Sequence, residues 1–216
     1  ANPTGIVRGV DELKKLVDDA RSLGAVVASD ECYAELGWGE WDTQRGGKLV
    51  PSILDSRVCG ESQRLVFSVY SLSKQSNFAG YRGAFIAGDA EIMPNLINSR
   101  KHAGMIVPAP VQAAMAAALN DDAHVEAQKN LYRARRDLLL PAVQKFGLTV
   151  ENSEAGLYLW ATAGEDTWTT VQRFAELGIL IGPGVFYGES GEGYVRLALT
   201  GSDSDIEKAA ARLKAA

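Results

Sequence analysis

The stretch from Arg64 to Gly83, RLVFSVYSLSKQSNFAGYRG, constrains this chain more than any other. An apolar run over residues 65–70 stops abruptly at Ser71-Leu72-Ser73-Lys74, and a Gly80-Tyr81-Arg82-Gly83 turn follows. So short and continuous an apolar run reads as a strand buried on both faces. A lysine directly after such a strand is oddly placed, because burying an ammonium is costly unless it sheds its proton or finds a partner. With two hydroxyls, an amide and an arginine around it, Lys74 reads as a reactive amine beside an anion site. The alternative is a strand ending in a solvated loop, and the rest of the chain has to decide.

The flanking elements place this strand in an α/β domain. Val10, Leu13, Leu16, Val17, Ala20 and Leu23 recur at helical spacing and predict a helix over residues 10–23, stopped by Gly24. Residues 25–29 form a second apolar run, again read as a strand buried on both faces, and it ends in Asp30-Glu31-Cys32-Tyr33. Helix, buried strand and polar tip is the rhythm of folds whose ligands sit at the carboxyl ends of parallel strands. Residues 37–60 read mostly as loop, with a short helix around residues 51–54. A third strand is expected over residues 83–88, with Asp89 capping the helix after it. An alanine-rich helix follows over residues 111–119, then a long helix over residues 121–146, bent near Pro141.

Past Gly147 the texture changes to short strands at residues 148–150, 156–161, 179–181 and 194–199, with a helix over 167–177. A last helix is expected to open on a capping box, Ser204-x-x-Glu207. The division expected is therefore residues 1–120 as part of a large domain, 121–146 as a connecting helix, and 147–216 as a smaller α+β domain.

Composition excludes some partners. The 216 residues carry a formal net charge of −5 with acids and bases interspersed, which argues against nucleic acid. No run reaches the roughly 18 apolar residues of a membrane span. Cys32 and Cys59 form neither a metal-binding spacing nor a disulfide framework, so a reducing, cytoplasmic setting without a metal is expected.

Four ordered motifs go further than composition. They are N-P-T-G at Asn2 to Gly5, D-x-x-Y at Asp30 to Tyr33, S-x-S-K with an arginine eight residues on at Ser71 to Arg82, and G-P-G-x-x-F followed by Y-V-R-L at Gly182 to Leu197. In that order they resemble the fold type I pyridoxal-phosphate aminotransferases, the aspartate aminotransferase-like class I/II family. The resemblance implies an α/β large domain with a mainly parallel sheet plus a smaller α+β C-terminal domain. It implies pyridoxal 5'-phosphate as cofactor, amino-acid and 2-oxo-acid substrates, and a homodimer.

It also assigns roles. Lys74 would carry the cofactor and move the substrate's α-proton. Asp30 would face the pyridine nitrogen, and Asn2 and Tyr33 the ring's phenolic oxygen. Ser71, Arg82 and, with them, Ser73 would bind the phosphate. Arg196 would clamp the substrate's α-carboxylate, with Asn2 nearby.

Within the family, the wording ANPTGIVRG and SLSKQSNFAGYRG is most similar to N-succinyldiaminopimelate aminotransferases of lysine biosynthesis in actinobacteria. Aspartate or aromatic transamination and a β-lyase reaction use the same residues and stay open, as does an aminotransferase-like effector domain of a transcription regulator. The family's glycine-rich phosphate cradle and ring-stacking aromatic residue precede N-P-T-G, so an N-terminal part is expected to be missing. The segment alone is expected to bind the cofactor poorly and not to transaminate.

Overall fold

A computed structural model describes residues 1–104 and 106–216. The chain divides into two compact units, each assembled from separate stretches of sequence. One comprises Arg8–Glu35 and Lys48–Gln128, the other Ala1–Val7, Leu36–Gly47 and Lys129–Ala216.

The first unit opens with α1 (Val10–Ser22), which buries Leu13 and Val17 and ends as its periodicity predicts. Strand β1 (Val27–Asp30) pairs in parallel with β2 (Val66–Ser71), and β2 pairs antiparallel with β3 (Ala84–Gly88). The result is a mixed three-stranded sheet in the order β1-β2-β3. Only β2 is central, so the expectation that β1 is buried on both faces fails. Its residues alternate between half-buried and exposed, and neighbouring Val26 is 51% exposed. Leu13, Val17, Ile53, Val58 and Val66 form the core beneath.

The helix expected at 51–54 lies one turn later, as α2 (Ser56–Cys59), because Asp55 accepts from Arg57 N at 2.9 Å and caps it. Before it, the Ile53 and Leu54 N–H groups go to Glu31 and to the Ser52 hydroxyl, which closes a turn instead. Asp89 likewise caps a turn, accepting from Glu91 N and Ile92 N, ahead of α3 (Met93–His102) rather than at its first residue. The alanine-rich α4 (Ala109–Leu119) follows.

The long α5 (Asp122–Lys145) contains Pro141 and belongs to the second unit from Lys129 onward. There β4 (Thr149–Val150), β5 (Tyr158–Thr162), β6 (Gly182–Pro183) and β7 (Tyr194–Ala198) form an antiparallel sheet in the order β4-β5-β7-β6. Leu159, Ala161, Val195 and Leu197 are buried on one face of it, and α6 (Thr167–Glu176) packs against β6 and β7. The strand expected at 179–181 is absent, because Ile179 N bonds back to Phe174 O to close α6 and pairing starts only at Gly182. The final α7 (Asp203–Ala215) is capped by Ser202, which accepts from Asp205 N, two residues before the expected Ser204.

An ion cluster ties the 36–47 loop to α5. The Asp42 carboxylate, 2% exposed, receives both a bidentate fork from Arg133 at 3.0 and 3.1 Å and the Lys129 amine at 3.2 Å. Burial opposes the carboxylate, but hydrogen bonds from Arg133 and Lys129 outweigh it and hold its pKa below the usual value. An aspartate so depressed stabilises the fold above its unfolded pKa of about 3.9, and the contribution is lost as pH falls through the lower folded value. Removing one member of a buried pair leaves the other charges stranded, at about 3–5 kcal/mol. Asp42→Asn is therefore expected to lower the melting temperature at pH 7 by roughly 10 °C, with the difference shrinking toward pH 3. Thermal melts at both pH values check this; equal melting of the two proteins at pH 7 contradicts it.

Candidate active site

The parallel register of β1 and β2 sets the site in the first unit. Asp30 is the last residue of β1 and aligns with Val69, two residues before β2 ends at Ser71. The Asp30 carboxylate and the turn that carries Lys74 thus leave the sheet at the same edge, the carboxyl end of both strands. Asp30 itself is exposed, and its Oδ1 accepts from Cys32 N at 3.2 Å, which turns the chain toward Tyr33. Lys74 is half-buried in the turn after β2, with Nζ 5.9 Å from the centre of the Tyr33 ring and no hydrogen-bond or ion-pair partner among the described residues.

The hydroxyls form a pair. Ser71 Oγ lies 2.8 Å from Ser73 Oγ and accepts from Ser73 N at 3.2 Å, so the turn after β2 brings the two hydroxyls together. Arg82 holds a left-handed backbone (φ 55°), uncommon for a residue with a Cβ, and its Nη1 donates to Ala79 O at 2.8 Å. It is exposed.

The remaining two expected residues lie in the second unit. Gly5 has φ 71°, and a Cβ there would fall 2.8 Å from Ser153 Cα, so the N-P-T-G turn closes only with glycine. Gly5 O accepts from Glu154 N and Ala155 N, and Val7 N donates to Glu154 Oε2 at 2.8 Å. This seats Asn2 so that its Oδ1 accepts from Arg196 Nη1 at 3.0 Å, joining two motifs 194 residues apart.

Sequence reasoning passed over one group. Glu31, next to Asp30, accepts from Ser52 Oγ, Ile53 N and Ser68 Oγ and fixes the base of the first constellation. Its place between two singled-out residues was the available signal. Cys32 is half-buried, with its thiol pushed up to about 12, first by burial and then by the Asp30 carboxylate. Among the described residues no group of three or more His, Cys, Asp or Glu could hold a metal ion, and no helix is long and apolar enough to cross a membrane.

A pKa of about 12 means Cys32 stays a thiol at pH 8 and alkylates slowly, since the thiolate is the nucleophile. Peptide mapping after iodoacetamide should show a rate for Cys32 still rising above pH 10, and Asp30→Asn should shift that rise to lower pH. A plateau by pH 9 contradicts this.

A family model described as aminotransferase class I and II matches residues 1–213. The 4-dedimethylamino-4-oxo-anhydrotetracycline transaminase OxyQ of Streptomyces rimosus is 53% identical over 99% of this chain and 57% of its own length. An LL-diaminopimelate aminotransferase of Dehalococcoides mccartyi is 33% identical over 98% of this chain and 53% of its own. The crystal structure of an aminotransferase from Neisseria meningitidis Z2491 superposes with a TM-score of 0.88 at 31% identity, covering 100% of this chain and 55% of that one. The chain thus spans about half the length of the relatives it matches.

Proposed function

The chain belongs to the class I and II aminotransferases, a pyridoxal-phosphate-dependent family, and on that premise we propose that the whole protein transfers an amino group from an amino acid to a 2-oxo acid. The observation that carries the proposal is Lys74. An amine with no hydrogen-bond or ion-pair partner among the described residues sits over an aromatic ring, at the strand edge where a carboxylate and two hydroxyls also emerge.

This donor set fits the cofactor chemically. A phosphorylated pyridine aldehyde needs an amine for its carbonyl, hydroxyls and a cation for its phosphate, and a carboxylate for its ring nitrogen. Lys74 Nζ would hold it covalently, Ser71, Ser73 and Arg82 its phosphate, Asp30 its ring nitrogen, and Tyr33 and Asn2 its phenolic oxygen. When bound, the cofactor supplies an electron sink for the charge left when an amino acid loses its α-proton. Lys74 Nζ, freed once the substrate's amino group takes its place, would accept that proton and return it on the acceptor side. Asp30 would favour a protonated ring nitrogen by its negative charge. Arg196, with Asn2, would hold the substrate's α-carboxylate through a planar fork of donors.

The same reading includes the division into a large cofactor domain, a connecting helix and a small domain, a cytoplasmic homodimer, and a role in lysine biosynthesis. A relative named for LL-diaminopimelate supports an amino donor of the diaminopimelate type. Neither relative above is named for a succinylated substrate, so N-succinyldiaminopimelate rests on the wording of the Asn2 and Lys74 motifs. Because OxyQ, at higher identity, is named for a different substrate, aspartate, aromatic and tetracycline-type partners belong in the same panel.

The full-length protein loaded with pyridoxal phosphate should transaminate at least one donor of that panel with 2-oxoglutarate. Lys74→Ala should lower kcat by about 10⁴-fold with folding unchanged. Turnover by Lys74→Ala within tenfold of the unaltered protein would sink the proposal, and failure of N-succinyldiaminopimelate alone would remove only that substrate.

A further inference from the structure

Arg196 lies on the outer face of the β4-β5-β7-β6 sheet, directly opposite Trp160 of β5. Its guanidinium carbon sits 3.8 Å from the centre of the Tyr158 ring and 5.0 Å from that of Tyr187. Tyr158 is the diagonal cross-strand neighbour on that face, two residues from Trp160. Tyr187 closes the short helical turn Gly184–Tyr187. That turn runs tight against the chain: a Cβ on Gly184 would fall 2.2 Å from Gly191 O and 2.4 Å from Tyr194 O.

The rings are themselves held. Tyr187 meets Trp160 edge-on at 5.7 Å and 87°, Trp160 stacks on Tyr194 at 5.0 Å and 3°, and the Tyr194 hydroxyl donates to Glu151 Oε2 at 3.0 Å. The donors of Arg196 are divided unevenly. Nη1 is taken by Asn2 Oδ1, whereas Nε is buried with no hydrogen-bond partner among the described residues. A buried N–H without a partner is unfavourable until something accepts from it. Nε is packed against the sheet, so the part of the guanidinium a carboxylate can meet is its Nη end, whose two nitrogens also match both carboxylate oxygens.

We propose that Tyr158 and Tyr187 are positioning residues for this arginine, holding the guanidinium plane by their ring faces so that its Nη end stays directed at a carboxylate. Asn2 fixes Nη1, and the two rings suppress rotation about the long side chain. Preorganisation of this kind shows as affinity, because the fork no longer has to be ordered when the ligand arrives. The ring face carries the effect, not the phenolic hydroxyl. This inference rests on the reading of Arg196 as the carboxylate clamp, but its test does not need turnover.

The experiment uses the full-length protein and succinate as a non-reacting carboxylate probe, with binding followed by calorimetry and folding by circular dichroism. Arg196→Ala sets the baseline and should abolish the Arg196-dependent binding. Tyr158→Leu and Tyr187→Leu should each weaken succinate about tenfold, the size of one lost cation–aromatic contact, and Tyr158→Phe and Tyr187→Phe should bind as the unaltered protein does. In turnover, the leucine variants should raise KM for the amino donor with kcat changed less than about twofold. Should Tyr158→Leu fail to fold, the partly exposed Tyr187 decides alone. Unchanged succinate affinity in the leucine variants, or phenylalanine variants as weak as the leucine ones, overturns the inference. Arg196-dependent succinate binding in a protein that transaminates nothing would instead overturn the aminotransferase reading.

Discussion

The parallel pairing of Val27–Asp30 with Val66–Ser71 is the constraint on which the first unit depends. Parallel strands deliver their last residues to the same edge, so one register brings a carboxylate, two hydroxyls and an amine together although Asp30 and Lys74 are far apart in sequence. The supports of that register are local and specific. Val66 is fully buried beneath α1, and Glu31 binds Ser68 on β2 and the Ser52–Ile53 turn at once. A slip of one residue would turn Val66 outward and separate Glu31 from its three partners.

The second unit solves a different problem, that of keeping an arginine in a fixed orientation on a sheet face. Its buried face is ordinary: Leu159, Ala161, Val195 and Leu197 alternate inward as an antiparallel sheet requires. The opposite face is aromatic, and its rings touch in sequence from Tyr194 through Trp160 and Tyr187 to Arg196 and Tyr158. The N-P-T-G turn completes this face from the other end of the chain, by backbone bonds to residues 153–155 that leave room only for glycine at position 5.

Much of this was legible in the sequence, for physical reasons. Helices with a clean apolar stripe (α1, α6, α7) announce themselves by periodicity and the central strand β2 by its apolar run, and family motifs singled out Lys74, Asp30, Asn2 and Arg196 as candidates. What escaped depended on partners. The residues of β1 and the helix caps were misjudged because exposure and capping depend on which neighbour competes for each group, as Asp55 and Ser202 show. The residues at 179–181 looked like a strand by hydrophobicity, yet the helix before them claims their backbone donor. The tyrosines around Arg196 carried no motif at all; Tyr158 and Tyr187 stand 29 residues apart and meet only through the sheet and the Gly184 turn.

The account turns on one atom, the Nζ of Lys74. Reduction of the full-length, cofactor-loaded protein with borohydride, followed by peptide mass mapping, tests it most directly. The prediction is a single modified peptide containing Lys74, lost in Lys74→Ala; a pyridoxyl adduct on another lysine, or none, would contradict it.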